Sequence, residues 1–134
     1  YELENGSRST LPFVPKHRVL SVLTATTADD AWQGTLTFEW RGEQRLPVTG
    51  AYPAAFQLPE HSDPYALLHL HVQRSWEMFD VYAGVENLLD YRQNNPILNA
   101  SSPFERYFEP SFSWGPVKGR EIYAGVRARL HIFD

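Results

Sequence analysis

The feature that most narrows what this chain can fold into is the two-residue alternation of its last stretch, Arg120–Phe133. Ile122, Ala124, Val126, Ala128, Leu130 and Ile132 fall on one side, and Tyr123, Gly125, Arg127, Arg129 and His131 on the other. Successive side chains of a β-strand point to opposite faces, so this pattern predicts a strand with one uncharged face and one polar face. Phe79–Leu89 repeats it, with Phe79, Val81, Ala83 and Val85 set against Asp80, Tyr82, Gly84 and Glu86. A helix would need apolar residues spaced by three and four, and no stretch supplies a convincing run of that spacing.

Three further strands are expected upstream. Trp32–Gly42 places Trp32, Gly34, Leu36, Phe38 and Trp40 opposite Gln33, Thr35, Thr37, Glu39 and Arg41. Tyr65–Arg74 places Ala66, Leu68, Leu70 and Val72 opposite Tyr65, His69, His71 and Gln73. His17–Thr27 is rich in Val, Leu and Thr but apolar on both sides, with Leu20 and Val22 on one and Val19 and Leu23 on the other. Between the strands, short and long connections alternate. Thr27–Asp30 and Gln73–Met78 are short. Residues 1–15 (with Asn5-Gly6-Ser7, Pro12 and Pro15), 43–64 (with Pro47, Pro53, Pro59 and Pro64) and Asp90–Gly119 (with Pro96, Pro103, Pro110 and Pro116) read as long loops.

Composition limits the partners. The net charge of −4 supplies no basic footprint, so nucleic acid is not expected. Without cysteine, disulfides and thiolate metal sites are impossible. No run reaches the ~18 apolar residues of a spanning helix, but barrel strands need only about 9–11 and alternate apolar with polar. The opening residues Tyr1–Gly6 have neither a basic start nor an apolar run, so a membrane reading requires that this be an internal or C-terminal piece of a longer precursor.

The two faces favour a membrane. A midplane Arg facing lipid costs roughly 2–4 kcal/mol, whereas Arg127 and Arg129 facing a wet lumen cost little. Aromatics gather at strand ends: Trp32, Trp76 and Phe79 beside the short turns, Trp40 and Tyr65 beside the long loops. Such placing matches the two aromatic girdles of outer-membrane barrels, whose short turns and long loops lie at opposite ends. The competing class is a soluble β-sandwich or lipocalin-like binding domain, in which the same rings anchor a core. A passive porin is a third.

Three passages resemble the C-terminal end of a TonB-dependent outer-membrane receptor. Leu11-Pro-Phe-Val-Pro-Lys-His17 is similar to the segment leading into a downward strand. Val85-Glu-Asn-Leu-Leu-Asp90, followed by Tyr91-Arg-Gln-Asn-Asn-Pro96, resembles the family's V-E-N-L-x-D strand end and its loop. Trp114-Gly-Pro-Val-Lys-Gly-Arg-Glu-Ile-Tyr-Ala-Gly-Val-Arg127 resembles its entry into the last strand. Order and spacing agree over roughly residues 11–130, and the second and third passages resemble receptors of the Bacteroidetes type.

The resemblance implies an all-β fold: antiparallel transmembrane strands, about the last five of a 22-stranded barrel, with short periplasmic turns and long extracellular loops. Residues 1–134 would be its C-terminal part, with the plug and TonB box lying upstream. It implies the cell outer membrane, contact with outer-membrane lipid, action of TonB through the plug, and uptake of a scarce ligand such as a ferric siderophore, haem, cobalamin or a glycan. One departure stands out. The family usually ends on a lipid-facing aromatic, but the matching position is Leu130, followed by His131, Ile132, Phe133 and Asp134.

On this reading His69, His71, Asp80, Tyr82, Glu86, Tyr123, Arg127 and Arg129 face the lumen. His69 and His71 project to one side, and we take them as polar lumen residues rather than a metal site. Asp80 and Glu86 lie six residues apart, about 20 Å along a strand, too far for a glycosidase pair. Ion pairs with Arg127 and Arg129 are expected for them instead. Gly84 and Gly125 either admit the plug backbone or an aromatic neighbour such as Tyr82 or Tyr123, or mark a local bend in a strongly tilted sheet. Tyr52, Phe56, Tyr91, Arg92, Phe104, Tyr107 and Trp114 are the ligand-facing loop candidates, and Phe108 and Phe112 lie among them. No catalytic constellation, cofactor motif or metal-binding set is read, and no enzyme activity is expected. The sequons at Asn5 and Asn99 are taken as chance.

Overall fold

The computed structural model describes residues 11–129. The expected loop around Asn5 and the terminal stretch from Leu130 to Asp134 lie outside the described residues. Five strands form: β1 (Arg18–Thr26), β2 (Trp32–Arg41), β3 (Tyr65–Ser75), β4 (Phe79–Glu86) and β5 (Glu121–Ala128). The one helical piece among the described residues is a 3-10 turn, Ala54–Phe56. The strands make one five-stranded sheet in the order β1-β2-β3-β4-β5.

Ladders confirm how the alternation sorts the faces. Leu70, Val72 and Arg74 pair with Val85, Ala83 and Val81, which in turn pair with Ile122, Ala124 and Val126. One face is thereby apolar across β3–β5 apart from Arg74, and His71, Gln73, Tyr82, Asp80, Tyr123 and Arg127 share the other. For β1, where the pattern leaves the faces open, hydrogen bonds at both ends settle the matter. Gly42 N–H donates to His17 O, Thr27 N–H donates to Trp32 O, and the Thr24 hydroxyl meets that of Thr35 at 3.4 Å. Leu20 and Val22 therefore share the polar side with Thr24, and Val19 and Leu23 follow the tryptophan side of β2.

Both tight connections are short hairpins. In the first, Asp30 takes a φ of 54°, and the Asp29 carboxylate accepts from the Thr27 hydroxyl at 2.5 Å and from Ala31 N–H at 3.2 Å. In the second, Trp76 N–H donates to Phe79 O. β4 stops three residues before the expected Leu89. Asn87 adopts a φ of 50°, a left-handed conformation that Asn tolerates better than most residues. Its side chain then binds Tyr91 N–H, Tyr91 O and Lys118 O, so the chain turns away from the ladder.

The described chain divides into two compact units. One consists of residues up to Arg18, Trp40–Tyr65 and Arg92–Val117; the other of Val19–Glu39, Ala66–Tyr91 and residues from Lys118 onward. The first holds all three buried apolar residues among those described: Leu46, Tyr65 and Leu98. The second holds most of the sheet and, among its described residues, buries no large apolar side chain. Its apolar face is open, with Val126 68% and Ile122 77% exposed.

Candidate functional site

On the polar face of the sheet, β4 and β5 place two tyrosines against two glycines. Tyr82 lies opposite Gly125 and Tyr123 opposite Gly84. A Cβ at Gly84 would come within 2.3 Å of the Tyr123 ring, and one at Gly125 within 2.4 Å of the Tyr82 hydroxyl. Each ring covers the bare backbone of the glycine across from it, which answers the question the two glycines raise: the neighbour is aromatic. The Tyr123 hydroxyl lies 2.9 Å from His71 Nδ1, and the His71 ring centroid is 5.9 Å from that of Tyr82 and 6.0 Å from that of Tyr123. The three rings form a small shelf able to stack a flat group and to donate or accept hydrogen bonds.

His69 is not part of that shelf. Its Nδ1 accepts from Asn87 N–H at 3.2 Å. The two histidines thus serve different partners, and no group of three metal-ligating side chains gathers among the described residues.

Acidic residues of the face are separated in their roles. Asp80 is 2% exposed and forms an ion pair with Arg129, while Arg127 is its ladder partner. At the other end of β4, Glu86 stands opposite Glu121, whose carboxylate pairs with Lys118 at 3.2 Å. Arg120 spans the adjacent turn: Nε and Nη2 donate to Leu88 O at 3.0 and 2.7 Å, and its N–H donates to Asp90 Oδ1 at 2.7 Å.

In the other unit the loops are tied by amides. Gln93, buried, accepts from Trp114 N–H at 2.8 Å and Gly115 N–H at 2.9 Å, and donates to Phe112 O at 3.3 Å. Gln44, also buried, donates to Trp114 O at 3.3 Å, and its N–H donates to the Ser62 hydroxyl at 3.1 Å. Tyr65 is buried, donates to Trp114 O at 3.4 Å and packs its ring 5.9 Å from that of Trp114. It is therefore a core residue of the loop unit and not an exposed girdle ring.

The ligand-facing candidates separate into distinct places. Tyr52, Phe56 and Tyr107 cluster, with centroid distances of 5.4 Å (Tyr52 to Tyr107) and 5.7 Å (Phe56 to Tyr107). Phe104 is fully exposed, Arg92 is exposed, and Trp114 is held by Gln93, Gln44 and Tyr65. Tyr91 belongs with the sheet unit through Asn87. A cleft of about 270 Å³ opens between 45–50 and 57–60, with Arg45, Leu58 and Glu60 in its walls. Gln44 stands in a proline-rich loop where a single amide carries no periodic signal; Asn87 and Gln93 lie in the passages 85–90 and 91–96, but nothing in their spacing marks the carbonyls and N–H groups they bind.

Two carboxyls have shifted affinities for protons. Hydrogen bonds from the Thr27 hydroxyl and then from Ala31 N–H hold the Asp29 carboxyl below the usual 3.8. Hydrogen bonds from Ser111, first its side chain and then its backbone, hold Glu109 below the usual 4.5. Both favour the ionised form by direct donation.

Comparison with protein-family models, with curated proteins and with solved structures finds no match to this chain.

Proposed function

We propose that this chain is the C-terminal wall of an outer-membrane receptor that takes up a scarce ligand by TonB-dependent transport, its long connections forming extracellular loops. The observation that carries the reading is the open apolar face. Leu36, Phe38, Leu70, Val81, Val85, Ile122 and Val126 lie on a side of the sheet that has no second layer within its own unit, while ion pairs and the tyrosine shelf lie on the opposite side. In water such a face is an association hazard; in hydrocarbon it needs no cover. Among the described residues β1 and β5 are the edge strands of the sheet, which supports the same reading, since in a 22-stranded barrel each would pair with a strand outside these five. The resemblance of 85–96 and 114–127 to TonB-dependent receptors narrows a generic barrel to this class. Ferric siderophores, haem, cobalamin and glycans are the ligand classes such a receptor takes, and the plug on which TonB acts belongs to a part of the receptor outside residues 1–134.

Expression of residues 1–134 in water tests the membrane placement. The expected product is insoluble or detergent-dependent. A soluble monomer with a cooperative unfolding transition would overturn the reading and favour a β-sandwich or lipocalin-like domain. For the transport step, energy-dependent ligand uptake by cells carrying the full-length protein should stop when TonB is removed; uptake that persists without TonB would point to a passive porin instead.

A further inference from the structure

The apolar face of the sheet carries one charge. Arg74 follows Leu70 and Val72 on the same side of β3, with Val81 across the ladder. Its guanidinium carbon lies 5.0 Å from the centre of the Trp32 ring and 4.7 Å from that of Trp76, and Trp76 stacks on Phe79 with centroids 4.7 Å apart. The cation thus rests in an aromatic cluster at the strand end where the tight turns lie. Indole faces attract its charge but leave unsatisfied the five N–H donors in the guanidinium plane. Among the described residues none takes a hydrogen bond or ion pair from the Arg74 side chain. Asp29 acts on it electrostatically, but its carboxylate is engaged by the Thr27 hydroxyl and Ala31 N–H. Beside the cation, a groove of about 240 Å³ passes over Val72, Val81 and Ala83.

We propose that this place binds a membrane phospholipid whose headgroup carries net negative charge. The lipid phosphate accepts from the free edge of Arg74 while Trp32 and Trp76 hold the guanidinium plane, and an acyl chain lies in the groove. The inference rests on the reading that this face meets lipid. Charge complementarity names the occupant: a lone cation beside a hydrocarbon groove matches an amphiphile with an anionic head. A zwitterionic lipid brings the same phosphate together with an ammonium that Arg74 repels, so the site discriminates between them.

Native mass spectrometry of the full-length protein, incubated with phosphatidylglycerol and phosphatidylcholine of matched acyl chains, tests the site. The expected result is about a fivefold to tenfold preference for phosphatidylglycerol, lost in Arg74→Gln and kept in Arg106→Gln, which removes a charge from an exposed loop. Equal retention of both lipids by the unaltered protein, or a preference that survives Arg74→Gln, would overturn it. Quenching of tryptophan fluorescence by brominated acyl chains separates the two levels. No quenching sinks the lipid-facing reading itself, whereas quenching without headgroup preference sinks the Arg74 site alone.

Discussion

Gly84 and Tyr123 face each other across the β4–β5 ladder, and the tyrosine ring fills the space that a side chain at position 84 would need. The reciprocal pair, Tyr82 over Gly125, differs in one respect. A Cβ at 125 has only the Tyr82 hydroxyl and ring as its nearest neighbours, whereas one at 84 also meets the backbone carbonyl of Leu70 at 2.8 Å. A ring on a half-open face can swing aside; a ladder carbonyl cannot. Gly84→Ala should therefore destabilise the sheet by roughly 1–3 kcal/mol, and more than Gly125→Ala. Displacing Tyr123 also breaks its contact with His71, adding to the difference. Equilibrium denaturation of the two variants under the same solvent or detergent conditions checks the order.

The Asp80–Arg129 pair predicts a second ordering. Asp80 is buried, while the Arg129 side chain is about half exposed. Replacing Arg129 by Leu strands a carboxylate away from water, but Asp80→Asn leaves an arginine that solvent can reach. Arg129→Leu should then cost about 2–4 kcal/mol at neutral pH and Asp80→Asn less, near 1–2 kcal/mol. Thermal denaturation at pH 7 distinguishes them, and equal losses would show that solvent shares Asp80 despite its burial.

Much of the sheet was legible because four of its strands alternate cleanly. Val81, Ala83 and Val85 in β4 lie on the side that the pattern predicts, and Trp32 in β2 joins them there, stacked under Arg74 and lining the same groove. β1 is ambiguous because both its faces are apolar, and only the Thr24–Thr35 contact and the terminal hydrogen bonds orient it. The early end of β4 was hidden because Leu88 and Leu89 continue an apolar run, while the turn is dictated by a side-chain amide at Asn87. Arg74 was legible as a member of β3, but its significance depends on two indoles brought in from β2 and from the β3–β4 turn. The loop unit was least legible, since Gln44 and Gln93 join segments up to 70 residues apart through carbonyls that no pattern marks.

The first turn should show its hydrogen bonding in an acid titration. Thr27 and Ala31 stabilise the ionised Asp29 carboxylate, so its affinity for a proton is lower folded than unfolded. With the folded value depressed, the contribution is present above the unfolded value of about 3.8 and is lost as pH falls through the folded one. Nothing from this group changes between pH 5 and 8. Thr27→Val removes the strongest donor and should raise the Asp29 titration midpoint towards 3.8, as read by carboxyl carbon NMR shifts. A midpoint unchanged by the substitution would mean that Ala31 N–H suffices.

Gln93 supplies the sharpest test of how the loop unit is held. Its Oε1 accepts from two consecutive backbone N–H groups, at 114 and 115, and its own N–H donates to Pro116 O at 2.8 Å. Gln93→Ala removes the acceptor from both N–H groups and the donor from Phe112 O. Each half-buried group left unpaired costs about 1–3 kcal/mol unless water enters to replace the amide. Gln93→Glu keeps an acceptor for Trp114 and Gly115 but sets a buried carboxylate against Phe112 O, so it should hold those two N–H groups while still costing stability. Hydrogen exchange then separates the variants. The alanine variant should lose protection at 114 and 115 by about tenfold or more, and the glutamate variant should retain most of it. If both variants exchange like the unaltered chain, these amides are protected by burial alone and Gln93 does not hold the loop.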